Sequence, residues 1–188
     1  MAENHAPHDA EAVPTEKKLE DLYKLVEGIE IAMFTTRRLD GHLVSRPMAT
    51  QKRDDISDFW FVTDADSDKL DELEHDPHIN LSYYRDRTRE WVSVSGRARI
   101  SRDREQIRRL YQPDWRAWFE DKGGERDGGP DDPRLTLVLV DADTVVYMVS
   151  DTPRPVVLFE VVKGIITGTQ PDVGSVRTVS GGELRSNG

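Results

Sequence analysis

The chain has 188 residues, 36 acidic against 26 basic side chains and a formal net charge of −10, with 36% hydrophobic and 33% charged residues. That suffices for one domain with a hydrophobic core and is too little for two sizeable ones, and the acidic surplus disfavours a nucleic-acid binder, which needs a basic face to displace counterions. The absence of cysteine from the sequence excludes a disulfide framework, a cysteine zinc site and a thiol nucleophile, so redox chemistry would require a bound cofactor.

Residues 1–14 mix Ala, Glu, His and Asn with two prolines and no periodicity, and residues 170–188 are rich in Gly, Ser and Thr. Neither stretch can bury much, so the expected organisation is a disordered tail over 1–14, one domain over 15–168 and a flexible tail over 169–188. Met1 to Ala12 lacks the basic-then-apolar order of a signal peptide, and no stretch reaches the length of a transmembrane helix. The expectation is a cytoplasmic protein with no membrane partner.

Leu19, Leu22, Tyr23, Val26 and Ile29 follow helical spacing, with Thr15 placed to cap the helix and Gly28 near its stop. Ile31 to Thr36 is β-rich, Leu39-Asp40-Gly41-His42 carries turn chemistry, and Leu43 to Gln51 completes a hairpin. Phe59-Trp60-Phe61-Val62-Thr63 reads as an aromatic strand. A short helix follows, capped by Asp66 or Ser67, burying Leu70 and Leu73 and closed by Asp76-Pro77. Its acids Asp71, Glu72, Glu74 and Asp76 read as a solvated face.

Ile79 to Tyr84 is the next strand, and Trp91 to Ile100 alternates, with Val92, Val94, Gly96, Ala98 and Ile100 on the core side. Asp103 to Phe119 is helical in composition but divided at Pro113. Lys122 to Asp132 is a Gly-rich loop, Leu135 to Val149 a strand pair turning at Asp141-Ala142-Asp143, and Val156 to Ile166 an apolar segment assigned to helix. Short strands with only small helices between them predict a mainly β fold, an antiparallel barrel.

GxGxxG, GxxxxGK[ST], HExxH and GxSxG are all missing, which removes support for a Rossmann domain, phosphate transfer and the common hydrolases. His75 and His78 flank Asp76-Pro77 without a carboxylate pair at ligand spacing, so no metal site is expected. Two features remain. Pro47, after Arg46, donates no backbone hydrogen bond and makes its strand irregular or ligand-facing. Thr63, Ser67 and Lys69 cluster where a strand ends and a helix begins, a place suited to an anion. Spacing alone leaves a second reading open, in which Ser67 caps the helix and Lys69 is solvated. Trp60, Trp91, Trp115 and Trp118 suit a core or a subunit interface as well as a cofactor contact.

In order, these segments resemble the pyridoxamine 5'-phosphate oxidase-like, FMN-binding split-barrel proteins, and among them the bacterial general stress protein branch. The resemblance runs from about Leu19 to Gly168 and rests on Ile31-Ala32-Met33-Phe34-Thr35-Thr36, Ser45-Arg46-Pro47-Met48, and Phe59 to Thr63 with Ser67, Lys69 and Leu73. Val94-Ser95-Gly96-Arg97-Ala98, Trp118-Phe119 and Asp132-Pro133 extend it. It implies a Greek-key split barrel that forms a homodimer, with FMN, or FAD in its place, in clefts built by both subunits.

Carried over by position, the resemblance gives Arg46 the flavin phosphate or ribityl chain and lets Pro47, Met48 and Ala49 line the ring through backbone contacts. Val62 and Thr63 fall beside the ring or its chain, Lys69 becomes a second phosphate ligand with Ser67 in the same anion site, and Trp118 matches an aromatic near the partner subunit's cofactor. Two departures stand out. Oxidases of pyridoxamine phosphate place an arginine before the lysine, where this chain has Asp68, and carry a C-terminal Arg-Leu-His type motif that this chain lacks. Oxidation of that vitamer is therefore not expected, and no residue takes a catalytic assignment. Trp91 stands where a polar flavin contact is usual, and Tyr147-Met148 at the late barrel aromatic. Three readings follow: a flavin-binding, oxidoreductase-like stress-response protein; a non-catalytic module holding flavin, haem or deazaflavin; and a structural dimer without cofactor.

Overall fold

The computed structural model describes residues 13–150 and 174–186. The expected N-terminal tail up to residue 12, the segment Val156 to Ile166 and the domain boundary at 168 lie outside them. Helix α1, Thr15–Ile29, leads the fold and buries Leu19, Leu22, Leu25 and Val26. Its cap differs from expectation: Pro14 holds the N-cap position and Thr15 is already helical, its hydroxyl donating instead to Glu183 at 3.3 Å. Proline has no N–H, so its own nitrogen leaves no orphaned donor at the helix start. The helix stops at Glu30, whose left-handed φ of 68° still lets its N–H reach the Val26 carbonyl at 2.8 Å.

Among the described residues seven strands form one antiparallel sheet: β1 Ile31–Arg37, β2 Leu43–Ala49, β3 Phe59–Asp64, β4 His78–Arg85, β5 Glu90–Ser101, β6 Leu135–Val149 and β7 Ser175–Ser180. The order is β2-β1-β4-β5-β6-β3, with β7 on β6. β6 is 15 residues long, so its first half pairs with β3 and its second with β7 while β5 runs along its other edge. Just past β2, the Gln51 N–H donates to the Trp60 carbonyl at 3.0 Å. That bond brings the two ends of the strand order together and curls the sheet into a barrel.

The small helices are α2 Lys69–His75, α3 Arg104–Leu110, a 3-10 turn over Pro113–Trp118, and α4 Gly181–Ser186. Pro113 divides α3 from the 3-10 turn as its missing donor requires, and Asp103 caps α3 by accepting from the N–H groups of Glu105 and Gln106. No helix among the described residues is long and apolar enough to cross a membrane.

Two expectations fail in informative ways. Asp141-Ala142-Asp143 is not a turn; β6 passes straight through it with a bulge, since Ser95 pairs with Thr144 and Gly96 with Ala142, leaving Asp143 as the extra residue. Asp58 accepts the Ala142 N–H at 2.8 Å. Gly96 fits this close approach, because a Cβ there would strike the Asp141 carbonyl oxygen and stand 2.9 Å from the Ala142 Cα. The C-terminal stretch is not a flexible tail over its described part either. Ser175–Ser180 is a strand whose Val179 is buried, and Leu184 of α4 is buried behind it. Two apolar residues at the right spacing anchor a stretch whose composition alone reads as unstructured.

Strands β3 and β6 are covered on both faces. Phe59, Phe61, Val138 and Val140 point into the barrel cluster with Phe34, Leu81 and α1. Trp60, Leu135, Leu137 and Leu139 pack the other way, against Ile107, Leu110, Trp115 and Phe119. α2 rests on β1 and β5 at the barrel end where β3 finishes. That end holds the candidate site.

Candidate functional site

β2 is the first strand in the sheet order, hydrogen-bonded along its length only to β1. Pro47, opposite Met33, is therefore tolerated at an edge position. Alternation divides the expected segment between two faces: Arg46 and Met48 are turned inward, with Met48 buried in the barrel core, while Pro47 and Ala49 are exposed. The four consecutive residues thus do not share a side-chain surface, and only their edge backbone is common to them.

The inward face assembles a compact polar cluster. Arg46 sits opposite Phe34, so its guanidinium reaches diagonally to Thr36, two residues along β1, donating to Oγ1 at 2.8 Å. Its other terminal nitrogen donates to Glu72 Oε1 at 2.8 Å, and the Thr36 hydroxyl donates to Glu72 Oε2 at 2.6 Å. Glu72 is only 6% exposed. The expected solvated face of α2 therefore loses this member, because a seven-residue helix lying on β1 must turn one side inward. Burial works to raise the Glu72 carboxyl, yet the hydrogen bonds from Arg46 and Thr36 prevail and hold it below the usual glutamate value.

Lys69 lies one turn before Glu72 on the same helix. Its ammonium donates to Thr63 Oγ1 and to Ser67 Oγ, both at 2.6 Å. Both partners are neutral hydroxyls. Burial pushes the Lys69 ammonium below its ordinary value and the nearby Arg46 charge adds to the effect, against Asp64, Glu72 and Asp68. Ser67 does not cap α2; Asp68 stands at the N-cap without a side-chain cap bond, and the Ser67 hydroxyl is engaged by Lys69 instead. Arg46, Thr63, Ser67 and Lys69 are thus brought together, and Thr36 and Glu72, which sequence reasoning missed, complete the cluster.

A loop braces the turn beneath Lys69. The Ala65 N–H donates to the Arg134 carbonyl at 2.7 Å, and Arg126 pairs with Asp66 at 3.0 Å. Buried Asp132 and Arg134 tie that loop together at 2.6 Å, with Arg134 also donating to the carbonyls of Glu120 and Arg126. Val62 faces away from the cluster, against the Trp60 side of the core. Trp118 is 83% exposed at the end of the 3-10 turn, whereas Trp115, three residues before it, is buried and donates to Gln51.

The arrangement brings two cations near one another, Arg46 paired with a buried carboxylate and Lys69 held by two hydroxyls. A family model described as "Pyridoxamine 5'-phosphate oxidase like" matches residues 17–172. The chain belongs to the pyridoxamine 5'-phosphate oxidase-like family. It is 38% identical over 177 residues to "Protein bli-3" of Neurospora crassa, covering 93% of this chain and 85% of that protein. Among solved structures, a protein from Clostridium acetobutylicum related to general stress protein 26 superposes with a TM-score of 0.65 at 19% identity, covering 92% of this chain and 99% of its own. The general stress FMN/FAD binding protein of Xanthomonas citri gives 0.59 at 25% identity, covering 73% and 92%. The mostly antiparallel sheet with a few small helices is the split barrel of this family.

Proposed function

We propose that the chain binds a flavin nucleotide, FMN in the first instance, with its phosphate end at Arg46 and Lys69. The observation that carries this reading is the Lys69 ammonium: a half-buried cation beside a second cation, held by Thr63 and Ser67 hydroxyls. Such a group gains stability when an anion arrives, because the anion offsets both the burial and the repulsion. The residues present therefore fit a phosphate. The FMN/FAD binding described for the Xanthomonas citri protein supports the same choice.

On this reading the edge backbone of Pro47 to Ala49 lines the ring, with Thr63 beside the ribityl chain. Val62, turned into the core, contributes only through its backbone. The partner subunit of a homodimer completes the cleft. Exposed Ile31 and Met33 of β1, beside Pro47 and Ala49 of β2, form an apolar face suited to a second copy, and exposed Trp118 reaches the partner's cofactor. When bound, flavin supplies hydride and electron transfer. The chain's own residues bind and orient it; the carboxylate nearest the site, Glu72, is committed to Arg46 and not to proton transfer. A cytoplasmic, oxidoreductase-like role in a stress response is the functional setting proposed, the last on the strength of the relatives' names.

The test is the visible spectrum of the protein as purified, followed by heat release and chromatography of the bound chromophore. Yellow protein releasing FMN or FAD is expected. Colourless protein that fails to quench added flavin fluorescence would overturn the reading.

A further inference from the structure

Among the described residues the Arg46 guanidinium donates to Thr36 and to Glu72, and the Thr36 hydroxyl closes the triangle by donating to Glu72. Its two terminal nitrogens are thus held by different elements, Nη1 by β1 and Nη2 by α2. Two such contacts fix the plane of the group. Thr36 and Glu72 are buried while the Arg46 side chain keeps some contact with water, so the grip comes from the protein side. Without that grip Arg46 has reason to leave. It stands on an edge strand, and the charges of Arg46 and Lys69 repel each other, which helps to lower the Lys69 ammonium. An arginine released there turns into water, and an anion that needs it must first order a long side chain.

We propose, resting on the flavin reading above, that Glu72 and Thr36 are positioning residues for Arg46. They hold its guanidinium near Lys69 before the ligand arrives, so that the phosphate meets a preformed pair of cations. The rival role is competition, since a carboxylate can also keep an arginine from a phosphate. The bonding pattern favours positioning. Only one Glu72 oxygen takes a guanidinium N–H, because the other is committed to Thr36. An arginine has five N–H donors, and the two contacts leave three of them for a phosphate. Glu72 also lies one turn after Lys69 on α2, so the bond to Arg46 ties the cation from β2 to the helix that carries the second cation.

The experiment titrates FMN and riboflavin, which lacks the phosphate, by fluorescence quenching at about pH 8, where Glu72 and the phosphate are both ionised. Two comparisons change the grip at constant charge: Glu72→Met against Glu72→Gln, and Thr36→Val against wild type. Gln keeps an acceptor for Arg46, and Met keeps only the approximate size. The other charges acting on the cluster, Arg38, Asp64 and Asp68 among them, are the same within each comparison. FMN should bind E72M about fivefold more weakly than E72Q, and T36V about threefold more weakly than wild type, as expected when the ligand must order one long side chain. Riboflavin affinity should stay the same within each comparison. FMN bound by E72M as tightly as by E72Q, or more tightly, overturns the positioning role and leaves flavin binding intact. If E72M does not fold, FMN affinity in T36V equal to wild type does the same. A loss shared by riboflavin also overturns it, because the substitution then loosens the whole cleft. Binding of neither flavin by the wild type overturns both readings together.

Discussion

Arg46 of β2 and Glu72 of α2 meet at 2.8 Å, with the carboxylate almost wholly buried and Thr36 bonded to both. One contact therefore locks an edge strand, its neighbour and a short helix to one another. Removing one partner of such a pair strands the other as a buried charge.

Arg46→Met should lower stability at neutral pH by about 2 kcal/mol, below the usual cost for a buried pair because the arginine keeps some contact with water. The sign with pH follows from Glu72. Its folded pKa lies below the ordinary value of 4.5, so its stabilisation is present above that value and is lost as pH falls through the folded one. The gap between wild type and variant in urea unfolding should therefore narrow in acid.

Lys69→Met should behave in the opposite way. The folded protein holds the Lys69 proton less tightly than the unfolded chain, so wild-type stability rises with pH on the acid side of the ordinary value of 10.5. The variant should lose that rise and have a urea midpoint at neutral pH no lower than wild type, while losing affinity for flavin phosphate. A clearly destabilised variant would show that Lys69 is structural.

Asp132 is held down to about 2 from an ordinary 3.8: burial would raise it, but hydrogen bonds from the Arg134 side chain and from the N–H groups of Arg134 and Gly128 prevail. The stabilisation is present above the unfolded value and disappears as pH falls toward the folded one, and the shift corresponds to about 2 kcal/mol. Asp132→Asn should cost about that much at neutral pH and little near the folded value. Chemical denaturation at the two pH values checks this, and faster amide exchange in the loop ahead of Arg134 is expected alongside.

Gly96→Ala tests the bulge in β6. The added methyl meets backbone on the neighbouring strand, which cannot swing aside as a side chain would. A loss of about 2 to 3 kcal/mol is expected from thermal or urea unfolding. A neutral result would mean that the strands separate easily at Ala142.

Aromatic and β-branched content made β3 legible in the sequence, alternation made β5 so, and Pro113 marked the break after α3, because each of these signals is local. Arg46 and Lys69 were legible as cations, but the carboxylate paired with Arg46 was not. Glu72 stands in an acidic run, and its neighbours in sequence give no sign that α2 lies on β1 with this side inward. The spacing was the available clue, since Lys69, Glu72 and buried Leu73 share one helical face. The bulge at Asp143 read as a turn because the same Asp-Ala-Asp chemistry serves both, and only pairing with Gly96 decides between them. Strand β7 was missed because its stability comes from pairing with β6, distant in sequence.

The most direct test of the account is titration of FMN and of riboflavin, which lacks the phosphate, against wild type and the Arg46→Met, Lys69→Met double variant. The wild type should quench FMN fluorescence saturably and bind riboflavin at least about 100-fold more weakly, and the double variant should bind both as weakly as wild type binds riboflavin. Equal affinity for the two flavins, or FMN binding unchanged in the double variant, would contradict a phosphate site at Arg46 and Lys69.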